Sequence, residues 1–245
     1  MFDHVTIRVA DRGASERFYE TVLSTLGIER THSDDDLAEW DVFSLAAGRA
    51  VTRRLHIGFR APSRAEVDAF WRAGVDAGYR DDGAPGPRPQ YTEDYYGGFL
   101  LDPDGNSTEA VHHGDMRGGM VDHLWIRVAD VEASARFYET IAPHAGLEVR
   151  RLRPGHVQCV GAAGTFSLVS GTPTEHAHLA FPAADDATVD AFHRAAAAAG
   201  YRDNGAPGER PAYHAGYYAA FVLDPDGNNI ELVNHNRDPQ RQAAG

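Results

Sequence analysis

Val5, Ile7 and Val9 alternate with His4, Thr6 and Arg8, a pattern that predicts a strand with one apolar and one polar face. Asp11 follows as a helix N-cap, Phe18, Val22 and Leu26 mark a helical stripe, and Gly27 supplies the stop. A second strand is predicted at Leu55-His56-Ile57-Gly58-Phe59, again with apolar residues opposite a histidine. Ser63-Arg64-Ala65-Glu66 then reads as a capping box, Val67, Phe70 and Trp71 as the buried stripe, and Gly78 as the end of that helix. Segments around Trp40 to Ala46, Phe99 to Leu101 and Thr108 to Val111 read as further strands. The unit is βαβββ, and it occurs twice in the first half of the chain.

The second half repeats the first. Asp3-His4 matches Asp122-His123, and Arg17-Phe18-Tyr19-Glu20-Thr21 matches Arg136-Phe137-Tyr138-Glu139-Thr140. Further on, the turn Asp102-Pro103-Asp104-Gly105-Asn106, which leads to Glu109, matches Asp224-Pro225-Asp226-Gly227-Asn228, which leads to Glu231. The offset grows between these blocks, which places a short insertion in the second copy between roughly positions 150 and 170. Four βαβββ modules therefore make an α+β chain, with one domain over residues 1–113, a linker over 114–119, a second domain over 120–236 and a frayed tail over 237–245.

Composition narrows the partners. With 245 residues, 42% of them hydrophobic, the chain can bury a sizeable core, and its formal net charge of −13 argues against a nucleic-acid partner. The lone Cys159 allows no internal disulfide and reads as a small core residue. Without a leader-like N-terminus or a long apolar run, the expectation is a cytoplasmic protein with no membrane partner.

The candidate chemistry sits on the polar strand faces. His4, His56 and Glu109, and their counterparts His123, His178 and Glu231, each lie on a strand whose neighbours point the other way into the core. Two imidazoles and one carboxylate on one side of a divalent metal leave positions open for water and substrate, which is the arrangement of a reactive site. Tyr95, Tyr96, Tyr217 and Tyr218 precede the Glu-bearing strands and are candidate acids or substrate contacts. Arg8 and Arg127 share the pleat side of the first histidine and are candidates for an anionic substrate group, whereas Arg88 and Arg210 read as surface residues. Trp125 stands where the first half has Thr6, so the two cavities should differ.

The histidine strand, the Phe-Tyr helix, the second histidine strand and the closing Asp-Pro-Asp-Gly-Asn-x-x-Glu resemble the vicinal oxygen chelate superfamily, which includes glyoxalase I, bleomycin-resistance proteins and extradiol dioxygenases. The likeness covers nearly the whole chain and implies two tandem half-barrel domains. It implies the ligand set His4, His56 and Glu109 in one half and His123, His178 and Glu231 in the other, holding Fe(II), Mn(II), Ni(II) or Zn(II), with no nucleotide cofactor. It also implies a dioxygenase, lyase or isomerase acting on a small oxygen-bearing substrate, the alternative being non-catalytic antibiotic sequestration of the bleomycin-resistance type. The expected state is a monomer with an internal pseudo-dimer, or a homodimer.

Departures from the family pattern matter for the reaction. Glyoxalase I adds a fourth, acidic ligand, but Val42 to Ala50 and Val157 to Ser170 contain no carboxylate. The extradiol signature places a Tyr three residues before the turn Asp, where this chain has Phe99 and Phe221. The acid–base His of those enzymes has a nearby candidate only in the second half, His214.

Overall fold

The computed structural model describes residues 1–236; the tail assigned to 237–245 lies outside the described residues. Each module shows the expected βαβββ order, with the strand directly after each helix added to those that the periodicity marks. The first holds β1 (His4–Val9), α1 (Arg12–Leu23), β2 (His32–Ser33), β3 (Leu37–Trp40) and β4 (Phe43–Ala47). The second holds β5 (His56–Arg60), α2 (Arg64–Asp76), β6 (Arg80–Pro87), β7 (Tyr96–Leu101) and β8 (Ser107–His112). The third holds β9 (Val121–Val128), α3 (Val131–Ala145), β10 (Glu148–Arg153), β11 (His156–Gly161) and β12 (Gly164–Ser170). The fourth holds β13 (His178–Pro182), α4 (Asp186–Ala198), β14 (Arg202–Glu209), β15 (Tyr218–Leu223) and β16 (Asn229–Asn234). The insertion in the second half lengthens the β10–β11–β12 meander relative to β2–β3–β4.

Local chemistry explains the boundaries. The Asp11 carboxylate accepts from the Ala14 amide at 2.9 Å and the Ser63 hydroxyl from the Ala65 amide at 3.1 Å, so both helices start on a side-chain cap. Gly27, at φ 74°, takes the left-handed conformation that closes the turn after α1. Val5, Ile7, Val9, Ile57 and Phe59 are fully buried, and with Phe18, Phe70, Phe137 and Phe192 from the helices they belong to one continuous core shared by both halves.

The modules pair across the halves. One eight-stranded sheet runs β14-β15-β16-β13-β1-β4-β3-β2 and the other β10-β11-β12-β9-β5-β8-β7-β6. Each sheet thus joins a module of the first half to one of the second, through antiparallel seams at β1–β13 and β5–β9. The chain changes sheets at residues 48–55 and 171–177, and these two crossings bond to each other. Arg53 and Glu175 form a two-residue antiparallel bridge. The buried Thr52 hydroxyl donates to the His176 carbonyl at 2.8 Å, and the buried Thr174 hydroxyl to the Arg54 carbonyl at 3.0 Å.

The Asp-Pro-Asp-Gly-Asn turns are structural fasteners. Buried Asp102 accepts from the Asp104 and Asn106 amides at 2.9 and 2.8 Å, and the Asn106 carbonyl oxygen of the side chain accepts from the Leu55 amide at 3.1 Å, setting β8 beside β5. Asp104 then accepts from the Ala10 amide at 3.0 Å, reaching the other sheet. Asp224, Asn228 and Asp226 repeat these contacts in the second half. Among the described residues no helix is long and apolar enough to cross a membrane.

Candidate metal centres

Strand register creates the sites. On three adjacent strands, β9 pairs His123 with Gly58 of β5, and β5 pairs Gly58 with Glu109 of β8. In the other sheet β1 pairs His4 with Ala180 of β13, and β13 pairs Ala180 with Glu231 of β16. His56 and His178 stand two residues before that central Gly or Ala, on the same pleat side, and complete each cluster. We call the groups the glycine site (His56, Glu109, His123) and the alanine site (His4, His178, Glu231). Within each, the potential ligand atoms lie within 4.8 Å of one another.

This grouping corrects the expectation that each half holds its own set. His4 does not meet His56 and Glu109, because the crossing at residues 48–55 sends β5 into the other sheet from β1. Each cluster takes its first-strand histidine from one half and its remaining two residues from the other.

Hydrogen bonds fix which atoms face inward. In the glycine site the Glu109 Oε2 lies 3.0 Å from His56 Nε2 and 3.2 Å from His123 Nε2, and the two Nε2 atoms are 3.1 Å apart. Asp122 Oδ2 lies 2.8 Å from His123 Nδ1, so Nδ1 carries the proton there. Ser107 donates its own hydroxyl to Asp82 at 2.7 Å and can only accept from His56 Nδ1 at 3.0 Å. Both Nε2 atoms and a carboxylate oxygen therefore converge on one point. In the alanine site His178 Nε2 is 2.7 Å and His4 Nε2 3.4 Å from Glu231 Oε2, while His4 Nδ1 is 2.9 Å from Asp3.

Electrostatics tie the histidines and carboxylates of each cluster together. Burial alone would push Glu109 and Glu231 up, but the facing histidines hold both at about 2. Burial likewise opposes charge on His4 and His123, yet hydrogen bonds to Asp3 and Glu231, and to Asp122 and Glu109, raise them to about 9 and about 10. His56 and His178 are depressed, chiefly by burial. A cluster that must recruit a proton to bind its own acceptors together has the donor set of a divalent cation site, and two imidazoles with one carboxylate fit such an ion.

The remaining candidates separate. Tyr95 and Tyr217 join the clusters: their hydroxyls donate to Glu109 Oε1 at 2.8 Å and Glu231 Oε1 at 2.6 Å. Burial and the adjacent carboxylate keep both phenols protonated. Tyr96 and Tyr218 point the other way and donate to Asp68 of α2 and Asp190 of α4. His214 reaches the alanine site indirectly, through His235 at 2.8 Å, then Asp3 at 2.8 Å, then His4. Arg8 and Arg127 are exposed beside the crossings, with Arg127 Nη1 donating to the Arg54 carbonyl at 3.4 Å. Trp125 pairs with His56 and forms an aromatic wall with His156 and Tyr91, ring centres 5.4 and 5.9 Å away. Thr6, its counterpart, is hydrogen-bonded to Ser44 at 2.7 Å. Arg88 and Arg210 lie over the Phe99 and Phe221 rings at 5.3 and 5.5 Å.

Sequence reasoning passed over Asp3 and Asp122, which hold the Nδ1 atoms of the candidate ligands His4 and His123, and over His113 and His235 behind them, with His113 3.3 Å from Asp122 and His235 2.8 Å from Asp3. The repeated Asp-His pair was the available signal for the first two. His113 follows the end of β8 and stacks on Tyr95, with ring centres 5.4 Å apart and planes 4° from parallel.

Known proteins share this architecture. Glyoxalase I from Zea mays superposes with a TM-score of 0.71 at 19% identity, covering 96% of this chain and 92% of that one. A putative dioxygenase from Bacillus subtilis subsp. subtilis str. 168 gives 0.66 at 17% identity, covering 96% and 85%. Identities this low show a common fold. No curated protein matches the chain. The model of the Glyoxalase/Bleomycin resistance protein/Dioxygenase superfamily matches residues 1–110 and again 120–232, and the chain belongs to that superfamily, with two tandem copies of its unit.

Proposed function

We propose that the protein is a metal-dependent enzyme whose two clusters each hold a divalent ion, Fe(II), Mn(II), Ni(II) or Zn(II), and act on a small substrate presenting neighbouring oxygens, by dioxygenase, lyase or isomerase chemistry. The observation that carries this reading is the convergence of two Nε2 atoms and a carboxylate oxygen in the glycine site, each with its opposite atom already held by a partner. A bound divalent cation supplies Lewis acidity toward a substrate oxygen.

The chain's own groups do the rest. Asp122 and Asp3 fix the tautomers of His123 and His4. Tyr95 and Tyr217 hold one carboxylate oxygen so that the other faces the histidines, and their protonated state makes them orienting donors rather than bases. In the alanine site the line His4–Asp3–His235–His214 links a ligand to a partly exposed imidazole, a route along which a proton can be taken up or released.

The test is elemental analysis of anaerobically purified wild type beside Glu109→Gln, Glu231→Gln and the double variant, expected to hold about two, one, one and no ions per chain, given one ion per three-residue cluster. A wild type that takes up no metal after soaking sinks the reading. The Trp125 and Tyr91 wall favours a second reading, capture without chemistry of a flat small molecule in the glycine site. That reading predicts ligand binding indifferent to chelator.

A further inference from the structure

We propose that the two clusters are inequivalent metal sites, the glycine site binding a divalent ion tightly and the alanine site weakly, and that Gly58 and Gly97 against Ala180 and Ala219 set the difference. This rests on the metal reading above. Ligands about 2.1 Å from a six-coordinate ion and at right angles to one another lie about 3.0 Å apart. In the glycine site the three separations are 3.0, 3.2 and 3.1 Å, so the ligand cage is already closed to coordination spacing. In the alanine site they are uneven, with Glu231 Oε2 2.7 Å from His178 but 3.4 Å from His4. The imidazole planes differ too: His56 and His123 are 24° from parallel, whereas His4 and His178 meet at 76°.

The cause lies beneath the ligands. Gly58 occupies the middle of the row between His123 and Glu109, and a Cβ built there would collide with the His123 ring. A Cβ at Gly97 would collide with Glu109 Oε1, the oxygen Tyr95 holds. Neither glycine has a positive φ, so backbone conformation does not demand them. Their counterparts are Ala180, the register partner of both His4 and Glu231, and Ala219, both fully buried. With that methyl in the row His4 cannot take the pose of His123, and its side chain remains 23% exposed against 9% for His123. Closing the alanine site requires His4 to move, and this reorganisation subtracts from affinity.

The experiment titrates chelator-stripped full-length protein with Mn(II), counting bound ion by electron paramagnetic resonance and heat by calorimetry. Wild type is expected to show two events separated by roughly tenfold or more in Kd, with Glu109→Gln abolishing the tight event and Glu231→Gln the weak one. Gly58→Ala should bring the tight site to the weak site's level, and Ala180→Gly, which removes only one methyl and keeps the fold testable, should tighten the weak site. Two equal events, loss of the tight event in Glu231→Gln, or an unchanged weak site in Ala180→Gly would each overturn the inequivalence while leaving the metal reading intact. No Mn(II) uptake by the wild type would remove the metal reading itself.

Discussion

The glycine and alanine sites carry the same three candidate ligand types on the same three strand positions, yet one is evenly spaced and lined by Trp125 and the other is uneven and backed by His214. Identical ligands do not make identical sites; what lies under and behind them differs. In the row toward the carboxylate, His123 is paired with Gly58, while His4 is paired with Ala180 and its methyl. Among the described residues, the polar contacts behind His123 end at His113, whose Nδ1 is buried without a partner there, whereas behind His4 they continue through His235 to His214.

The largest expected effect tests the membership of each site. His4→Ala combined with Glu231→Gln should cost one bound ion per chain, and His4→Ala combined with Glu109→Gln should cost both, read by elemental analysis. The reverse pattern would mean that the sites follow the sequence halves.

Next in size is the pH response of the metal-free protein. An imidazole with a raised folded pKa stabilises fully below its unfolded value of 6.5 and loses that contribution as pH rises through the folded value. The chelator-treated protein should therefore lose stability from above pH 6.5, His4 giving out near 9 and His123 near 10. His56 and His178, being depressed, act in the opposite sense and weaken the fold as pH falls below 6.5. Glu109 and Glu231 give support that is complete above 4.5 and fades toward 2. Denaturation midpoints across pH, with and without His123→Gln, check the assignment; an alkaline limb unchanged in that variant would refute it.

Smaller effects should follow from the supporting residues. Asp122→Asn and Asp3→Asn each leave a ligand tautomer unfixed, and an affinity loss of about 10–100-fold is expected at the site concerned, read by metal titration. Tyr95→Phe and Tyr217→Phe remove one donor to a buried carboxylate, about 2 kcal/mol of stability each by chemical denaturation. Equal losses would show that the two carboxylates are supported alike. His214→Thr, which gives the alanine site the residue that Thr92 supplies in the other half, should cost only about 1 kcal/mol and leave metal stoichiometry unchanged.

The modules were legible because their signals are local. Asp11 and Ser63 cap the helices that their spacing announces, and Val5, Ile7 and Ile57 are buried as alternation requires. The edge strand β6 was not, since Arg80–Pro87 is rich in Gly and Pro and its register shifts twice. All six candidate ligands were legible by type and spacing, but their grouping was not. Which sheet β5 enters depends on Thr52, Arg53 and their bonds to residues 175 and 176, contacts that no periodicity records. Tyr95 and Tyr96 were equivalent in sequence; the pleat sends one to Glu109 and the other to Asp68.

The exchange of modules between sheets has a consequence for how the chain can evolve. Because neither half owns a complete cluster, neither can decay into an inert scaffold while its twin keeps working: loss of the first half removes His4 from one site and His56 with Glu109 from the other. An ancestral single unit pairing with itself would have had two sites obliged to stay identical. Joining the units end to end frees each position to change on its own, so that two clusters can diverge residue by residue although each still draws on both halves of the chain.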